Sequence, residues 1–157
     1  FYDALAEERG SALSLQGEGV VRGDRLMIRR ALSNLLSNAI RHTAAKGTVR
    51  VAIERGDDGV VCVAVENPGP TIDPEHLPRL FDRFYRVESS RTKASDGAGL
   101  GLAITKSIVD AHRGAIRAVS ADGRTRFEIA FPGVGDPAHR SSRHEDDDGT
   151  VIRQPSS

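Results

Sequence analysis

The sequence predicts an α+β fold, a two-layer sandwich in which helices cover one face of a mixed, mostly antiparallel sheet. Two hairpin signatures predict the antiparallel strands: residues 48–66 alternate on either side of Gly-Asp-Asp-Gly, and residues 115–132 alternate around Ala-Asp-Gly. The predicted helices lie between hairpins rather than within strand–helix–strand crossovers, which argues against a parallel sheet. The 157 residues, 38% of them hydrophobic, suit one domain with a real core.

Composition excludes several classes of function. The 22 basic and 22 acidic side chains cancel, and the chain has no tryptophan, so we expect no nucleic-acid partner. The single cysteine, Cys62, excludes a disulfide framework and a zinc site built from several thiolates. The longest apolar run, residues 60–65, is far shorter than the roughly 20 residues of a membrane-spanning helix.

The first elements follow from capping residues and alternation. Residues 1–9 predict the end of a helix that Gly10 closes, and the absence of an initiating Met leads us to expect a cut end of a longer protein. Alternation over residues 12–15 predicts a short strand. Asp24 is the predicted N-cap of a long helix that ends near Thr43.

The later elements are read in the same way. Pro74 predicts the start of a short helix that reaches about Arg83. Residues 87–98 are polar and predict a loop, and residues 99–111 predict a helix with one apolar side. Residues 134–157 are rich in Ser, Asp, Arg, Gly and Pro, and we expect them to form a disordered tail.

The long helix carries a polar stripe besides its apolar face. Asn34, Asn38, Arg41 and His42 share this stripe at helical spacing. Carboxamide oxygens are ligands for a hard cation such as Mg²⁺, and an arginine beside them suits a phosphate. A solvated polar face is the simpler interpretation, and the helix alone favours it.

Glycines and an asparagine supply two further signals. Gly97, Gly99 and Gly101 open the last helix, where free backbone amides attract phosphate; the alternative is a flexible cap. A dinucleotide fingerprint does not fit, because a polar loop rather than a strand precedes these glycines. Asn67 ends a strand before Pro68 and could read the edge of a base, although an ordinary turn is the simpler interpretation and the segment alone favours it.

Taken together, these segments resemble a known family. The segment RALSNLLSNAIRHT resembles the N box of sensor histidine kinases, VENPGPTI occupies the place of the G1 box, LFDRFYRVESSR resembles the F box, and GAGLGLAITKSIVDAHRG resembles the G2 box. Their order and spacing match across residues 12–133. The family is the ATP-binding catalytic domain of two-component sensor kinases, within the gyrase and histidine-kinase ATPase superfamily, and the wording is most similar to the copper and silver sensor branch.

The resemblance implies a Bergerat-type ATP-binding fold over residues 12–133, between the end of a linker helix at residues 1–11 and the tail. It implies ATP and Mg²⁺ as cofactors and assigns roles to matching positions. Asn38 would bind Mg²⁺ with support from Asn34, and Arg41 would contact phosphate. The other implied ATP-binding residues are His42, Asn67, Gly69, Ile72, Arg86, Arg91, Lys93, Gly97, Gly99, Leu100, Gly101 and Thr125.

The resemblance also implies a lid and a departure from the family. Residues 87–98 would form the ATP lid, for which Phe81 and Phe84 would be core anchors. Asn67 stands where most members have an aspartate that binds the adenine amine, and Thr71 replaces a glycine. An asparagine oxygen still accepts a hydrogen bond, though one weaker than a charge-assisted bond by about 1 kcal/mol.

The implied activity is transfer of the γ-phosphate of ATP to a histidine on a separate dimerisation domain. None of the five histidines here lies in the H-E-x-x-T-P context of an acceptor, so we expect that domain upstream. The resemblance further implies a response-regulator partner, a homodimer, and a cytoplasmic domain of an inner-membrane protein. Gyrase-like ATPases, anti-sigma-factor kinases and a degenerate module without kinase activity remain alternatives.

Overall fold

The computed structural model describes residues 2–87, 99–134 and 149–152. The helices are α1 (Tyr2–Glu8), α2 (Arg25–His42) and α3 (Gly101–Ala111), with a 3₁₀ turn at Pro78–Phe81. The strands are β1 (Ala12–Gln16), β2 (Gly19–Arg22), β3 (Thr48–Arg55), β4 (Val61–Pro68), β5 (Ala115–Ala121), β6 (Arg124–Phe131) and β7 (Gly149–Ile152). Within these ranges, no helix combines the length and the apolar character that crossing a bilayer requires.

Five strands form the main sheet in the order β1-β3-β4-β6-β5. β1 runs parallel to β3, and the other neighbours are antiparallel. Both predicted hairpins, β3–β4 and β5–β6, are present, and α2 and α3 pack together on the same face of the sheet. The predicted α+β sandwich is confirmed.

The core lies between this face and the helices. Alternate residues of β3, β4 and β6 are buried there, which follows from the two-residue period of a strand. Each such side chain contributes about 1.5–3 kcal/mol through burial. The strands supply Val49, Val51, Ile53, Val61, Val63, Val65, Phe127, Ile129 and Phe131, and the helices supply Ile28, Leu35, Ala39, Ile40 and Val109.

Capping fixes where α2 begins. Asp24 has extended backbone angles, and its carboxylate accepts a hydrogen bond from the N–H of Met27 at 2.9 Å. The predicted N-cap is therefore confirmed, and the helix ends at His42, one residue before the predicted end. This places the polar stripe of α2 at its C-terminal half, beside the end of β4.

Three segments differ from the sequence predictions. Residues 74–77 form turns and only Pro78–Phe81 form a 3₁₀ helix, because Pro78 has no N–H to bond the carbonyl of Pro74. β2 was not predicted, since four residues carry too little pattern. Its partner β7 lies within the segment predicted as a disordered tail, and the two pair antiparallel.

An alternating strand predicts Cys62 as a small core residue, and this prediction is wrong. Its neighbours Val61 and Val63 point inward, so the cysteine lies on the outer face of the sheet, half-buried. Burial and the charge of Glu128 raise the pKa of its thiol. The neutral thiol therefore predominates at neutral pH, where a thiol is a weak nucleophile.

Candidate functional site

A cavity of about 810 Å³ opens between α2, the end of β4, the start of β6 and the start of α3. Its volume is in the range of small-molecule and cofactor sites. Twelve residues that the sequence indicated line it together: Asn34, Asn38, Arg41, His42, Asn67, Gly69, Ile72, Arg86, Gly99, Leu100, Gly101 and Thr125. Arg91, Lys93 and Gly97 lie outside the described residues, as does the predicted lid apart from Val87.

The polar stripe of α2 forms one wall of the cavity. Asn34 donates a hydrogen bond from Nδ2 to the carbonyl oxygen of Gly101 at 3.2 Å, so this side chain joins α2 to the start of α3. Asn38 is half-buried and lines the cavity, and its carboxamide makes no hydrogen bond to another described residue. A carboxamide oxygen held here is available to a ligand.

The glycine-rich segment forms the wall at the start of α3. Gly99 has a φ of +70°, a left-handed conformation that a right-handed helix cannot include. The helix α3 therefore begins at Gly101 rather than at the predicted residue 99. A Cβ at Gly99 would lie 3.2 Å from the Cα of Phe84. The N–H of Ile104 makes the first intrahelical bond, to Leu100, so the amides of Gly101 and Leu102, two residues that line the cavity, have no partner within the helix.

The two phenylalanines of the F-box segment take different positions. Phe81 packs against the core, its ring edge-on to Phe127 with centroids 6.1 Å apart, as predicted for an anchor. Phe84 is 69% exposed with a φ of +64°, and its N–H donates to the carbonyl of Gly99 at 3.1 Å. The prediction of a core anchor is wrong for Phe84, because the left-handed backbone turns its side chain outward.

Asn67 and Thr125 form the inner end of the cavity. They are directly opposite each other on β4 and β6 and are 3% and 5% exposed. Asn67 donates from Nδ2 to the carbonyl oxygen of Pro68 at 3.1 Å, and Thr125 Oγ1 lies 3.0 Å from Ser120 Oγ. Both residues line the cavity.

The segment after Asn67 is tied to the β5–β6 hairpin. Gly69 donates its N–H to the carbonyl of Gly123 at 2.9 Å, and Gly123 donates in return to the hydroxyl of Thr71 at 2.8 Å. Thr71 is not among the described non-glycine residues with positive φ. The threonine therefore replaces a glycine without backbone strain, and its hydroxyl adds a hydrogen bond.

His76 and Tyr85 also line the cavity and were not indicated by the sequence. The Nδ1 of His76 and the hydroxyl of Tyr85 form a short hydrogen bond, and the guanidinium of Arg79 lies 4.4 Å from the centre of the tyrosine ring. The contact joins two loop segments that no periodicity relates. The only available signal was the position of Tyr85 inside the F-box segment.

Comparison with known proteins decides the family. The family model of histidine kinase-, DNA gyrase B- and HSP90-like ATPases matches residues 23–134. The chain belongs to this ATPase family. The resemblance to the ATP-binding domain of histidine kinases that the sequence indicated is confirmed by the relatives described next.

The relatives of this ATPase domain are sensor kinases. It is 57% identical over 134 residues to the sensor histidine kinase CusS of Escherichia coli strain K12, covering 84% of this chain and 28% of CusS. The solved mycobacterial sensor histidine kinase MprB superposes with a TM-score of 0.76 at 32% identity, over 83% of this chain and 89% of that one. Full-length ShkA in complex with AMPPNP gives 0.72 at 28% identity, over 85% and 28%.

The chain corresponds to only part of the length of its relative CusS. The chain spans about 28% of the length of CusS, so it matches one part of that protein. The similarity to CusS agrees with the sensor branch that the sequence motifs indicated.

Within the described residues, no group of three or more His, Cys, Asp or Glu side chains could hold a metal ion. A hard cation at this site would take carboxamide oxygen from the protein and its remaining ligands from a bound phosphate.

Proposed function

We propose that this domain binds Mg·ATP and presents the γ-phosphate to a histidine on a separate phosphoacceptor domain. One observation carries the proposal: the carboxamides of α2, the glycine-rich start of α3 and the buried Asn67 line a single cavity. A solved relative, ShkA, is described in complex with AMPPNP, an ATP analogue, which supports a nucleotide as the ligand.

The proposed orientation of the nucleotide follows from the chemistry of the walls. Phosphates suit the end formed by Asn38, Arg41 and the amides at the start of α3, where the helix dipole and the arginine favour negative charge. The base suits the inner end, where Ile72 supplies apolar surface beside Asn67 and Thr125. The γ-phosphate then faces the side of the cavity that carries Arg86.

The protein has little covalent chemistry to perform in this reaction. An acceptor nitrogen attacks the γ-phosphorus, the bond to the bridging oxygen breaks, and ADP leaves with the electron pair. Transfer of this kind depends on positioning and on neutralising charge. Asn38 would hold Mg²⁺ with Asn34 beside it, and the ion would supply charge neutralisation when bound. Arg41 and the amides of α3 would orient the phosphates.

The wider context belongs to the same proposal. The proteins similar to this chain are named sensor histidine kinases, and kinases of this type work with an upstream dimeric acceptor domain and a response regulator. We propose those partners here, within a protein of the copper and silver sensor branch that is anchored in the inner membrane. The similarity to CusS supports this placement.

Calorimetric titration of ATP into the chain, with and without Mg²⁺, tests the proposal. We expect micromolar-range binding that Mg²⁺ strengthens by about tenfold or more, and we expect Asn38→Ala to abolish that strengthening, since it removes an oxygen ligand. Ser33→Ala is the matched control, because Ser33 lies on the same helix and does not line the cavity.

Transfer completes the test. The chain is mixed with labelled ATP and an added acceptor-helix domain of a sensor kinase, and we expect label on the acceptor histidine, reduced at least tenfold by Asn38→Ala. Binding without any transfer would favour the alternative of a nucleotide-binding module without kinase activity. A well-folded chain that binds no ATP would overturn the proposal.

A further inference from the structure

The hydroxyl of Ser120 lies behind the inner end of the cavity and touches three groups. The N–H of Ile72 donates to it at 2.9 Å, the carbonyl oxygen of Arg124 lies at 3.1 Å, and Thr125 Oγ1 lies at 3.0 Å. Ser120 itself does not line the cavity, whereas Ile72 and Thr125 do. The serine therefore acts on a ligand only through its neighbours.

The available protons determine how these contacts are arranged. A serine hydroxyl has one proton and two lone pairs. The carbonyl of Arg124 only accepts, so it takes the proton of Ser120, and the N–H of Ile72 fills one lone pair. The remaining lone pair accepts the proton of Thr125. This arrangement satisfies all three contacts at once, and it leaves Thr125 Oγ1 with lone pairs alone for the cavity.

Asn67 is restricted in the same direction. One of its two Nδ2 protons is donated to the carbonyl of Pro68 at 3.1 Å, which orients the carboxamide and leaves Oδ1 to accept from a ligand. The opposite orientation would set two oxygens against each other. Since Asn67 and Thr125 are paired across β4 and β6, two acceptors lie side by side at the inner end of the cavity.

We propose that Ser120 is a positioning residue that makes Thr125 present only an acceptor to this end of the cavity, and thereby selects a 6-aminopurine nucleotide over a 6-oxopurine nucleotide. The inference rests on the proposed function, because it concerns the base of the same nucleotide. An exocyclic amino group carries two N–H donors for these acceptors, directly or through a water molecule. A 6-oxo group presents an acceptor to acceptors, which leaves buried polar atoms unpaired.

The test measures the dissociation constants of ATP and of inosine triphosphate for the same protein by calorimetry. We expect the parent chain to prefer ATP by about tenfold or more. Ser120→Ala frees the proton of Thr125 to turn toward the cavity, and we expect it to reduce this preference by about three- to tenfold. Ser120→Thr keeps the hydroxyl and should restore the preference, and Ser107→Ala, at an exposed serine of α3, should leave it unchanged.

The preference, rather than either affinity, separates this role from a structural one. If Ser120→Ala weakens both nucleotides equally, or neither, the inference is overturned. If that variant does not fold, Thr125→Val replaces it: loss of the acceptor should weaken ATP while inosine triphosphate stays unchanged or binds more tightly, and an equal change of both overturns the inference. A parent that binds both nucleotides equally contradicts this inference alone, whereas a parent that binds neither contradicts the proposed function.

Discussion

Asn67, where the resemblance to sensor kinases implies an aspartate, makes a hydrogen bond through its carboxamide that a carboxylate does not make. The Nδ2 of Asn67 donates to the carbonyl of Pro68 at a position that is 3% exposed. We expect Asn67→Asp to lower the free energy of unfolding at pH 7 by about 1–3 kcal/mol, because the carbonyl loses its donor and faces a buried charge. Urea denaturation measures the change.

Acid should reduce this loss, since a protonated carboxyl donates to Pro68 again. Gln16→Glu adds the same charge at an exposed position of β1 and serves as the control. Equal stability of Asn67→Asp and the parent at pH 7 would show that the bond to Pro68 contributes nothing.

Single residues also show how far the sequence could predict the site. Asn38 and Gly99 are recognisable because their types are unusual where they stand: a carboxamide within a helix and a glycine at a helix start. Ser120 and His76 gave no such signal, because each acts through a contact between segments that no periodicity relates. The exposure of Phe84 depends on its left-handed backbone conformation, which the presence of a phenylalanine in a motif does not predict.

At the scale of elements, His112 joins the end of α3 to the start of α2. Its Nδ1 donates to the carbonyl of Ile108 at 2.7 Å, and its Nε2 accepts from the N–H of Asp24 at 3.0 Å. The ring also lies edge-on to Phe131, with centroids 6.5 Å apart. The imidazole thus satisfies backbone groups at two helix ends and fills space beside the core.

We therefore expect His112→Ala to lower the free energy of unfolding by about 2–3 kcal/mol, the sum of a lost hydrogen bond and lost packing. Chemical denaturation at pH 7.5 provides the measurement. Ser107→Ala on the exposed side of α3 is the control and should change stability by less than about 0.5 kcal/mol. A His112→Ala protein as stable as that control would rule out the link.

The helices and strands that could be predicted from the sequence are those specified by residues close together in the chain. α2 has a capping residue and an apolar period, and both hairpins have alternating strands around turn residues, so these were predicted within two residues. The segment after Pro74 misled because its second proline, Pro78, removes a helical donor. The pairing of β2 with β7 joins parts of the chain about 130 residues apart, which no local pattern encodes.

At the scale of the whole molecule, ion pairs on the outer face of the sheet join four of its five strands. Glu66 of β4 pairs with Arg50 of β3 at 3.8 Å and with Arg124 of β6 at 3.0 Å. Glu128 of β6 accepts from Arg126 at 2.7 Å and from Arg117 of β5. Burial acts to raise the pKa of Glu128, but the hydrogen bonds from the two arginines outweigh it and leave that pKa below its ordinary value.

This direction predicts how stability depends on pH. A carboxyl whose pKa is lower in the folded chain stabilises the fold above the unfolded pKa of about 4.3, and the contribution is lost as the pH falls through the folded value. We expect Glu128→Gln to be less stable than the parent by about 1 kcal/mol at pH 7, the scale of partly exposed ion pairs, and we expect this difference to shrink as the pH falls below about 4.3.

Urea denaturation of the parent and the variant from pH 7 downward measures the difference in their free energy of unfolding. The other carboxyl groups are present in both proteins, so their contributions cancel in this difference. Because Arg117 is mostly exposed, high salt should reduce the difference at pH 7 as well. Glu18→Gln, at an exposed position before β2, is the matched control for the loss of a surface carboxylate. If the difference between Glu128→Gln and the parent is the same at every pH, the arginines do not stabilise the carboxylate of Glu128.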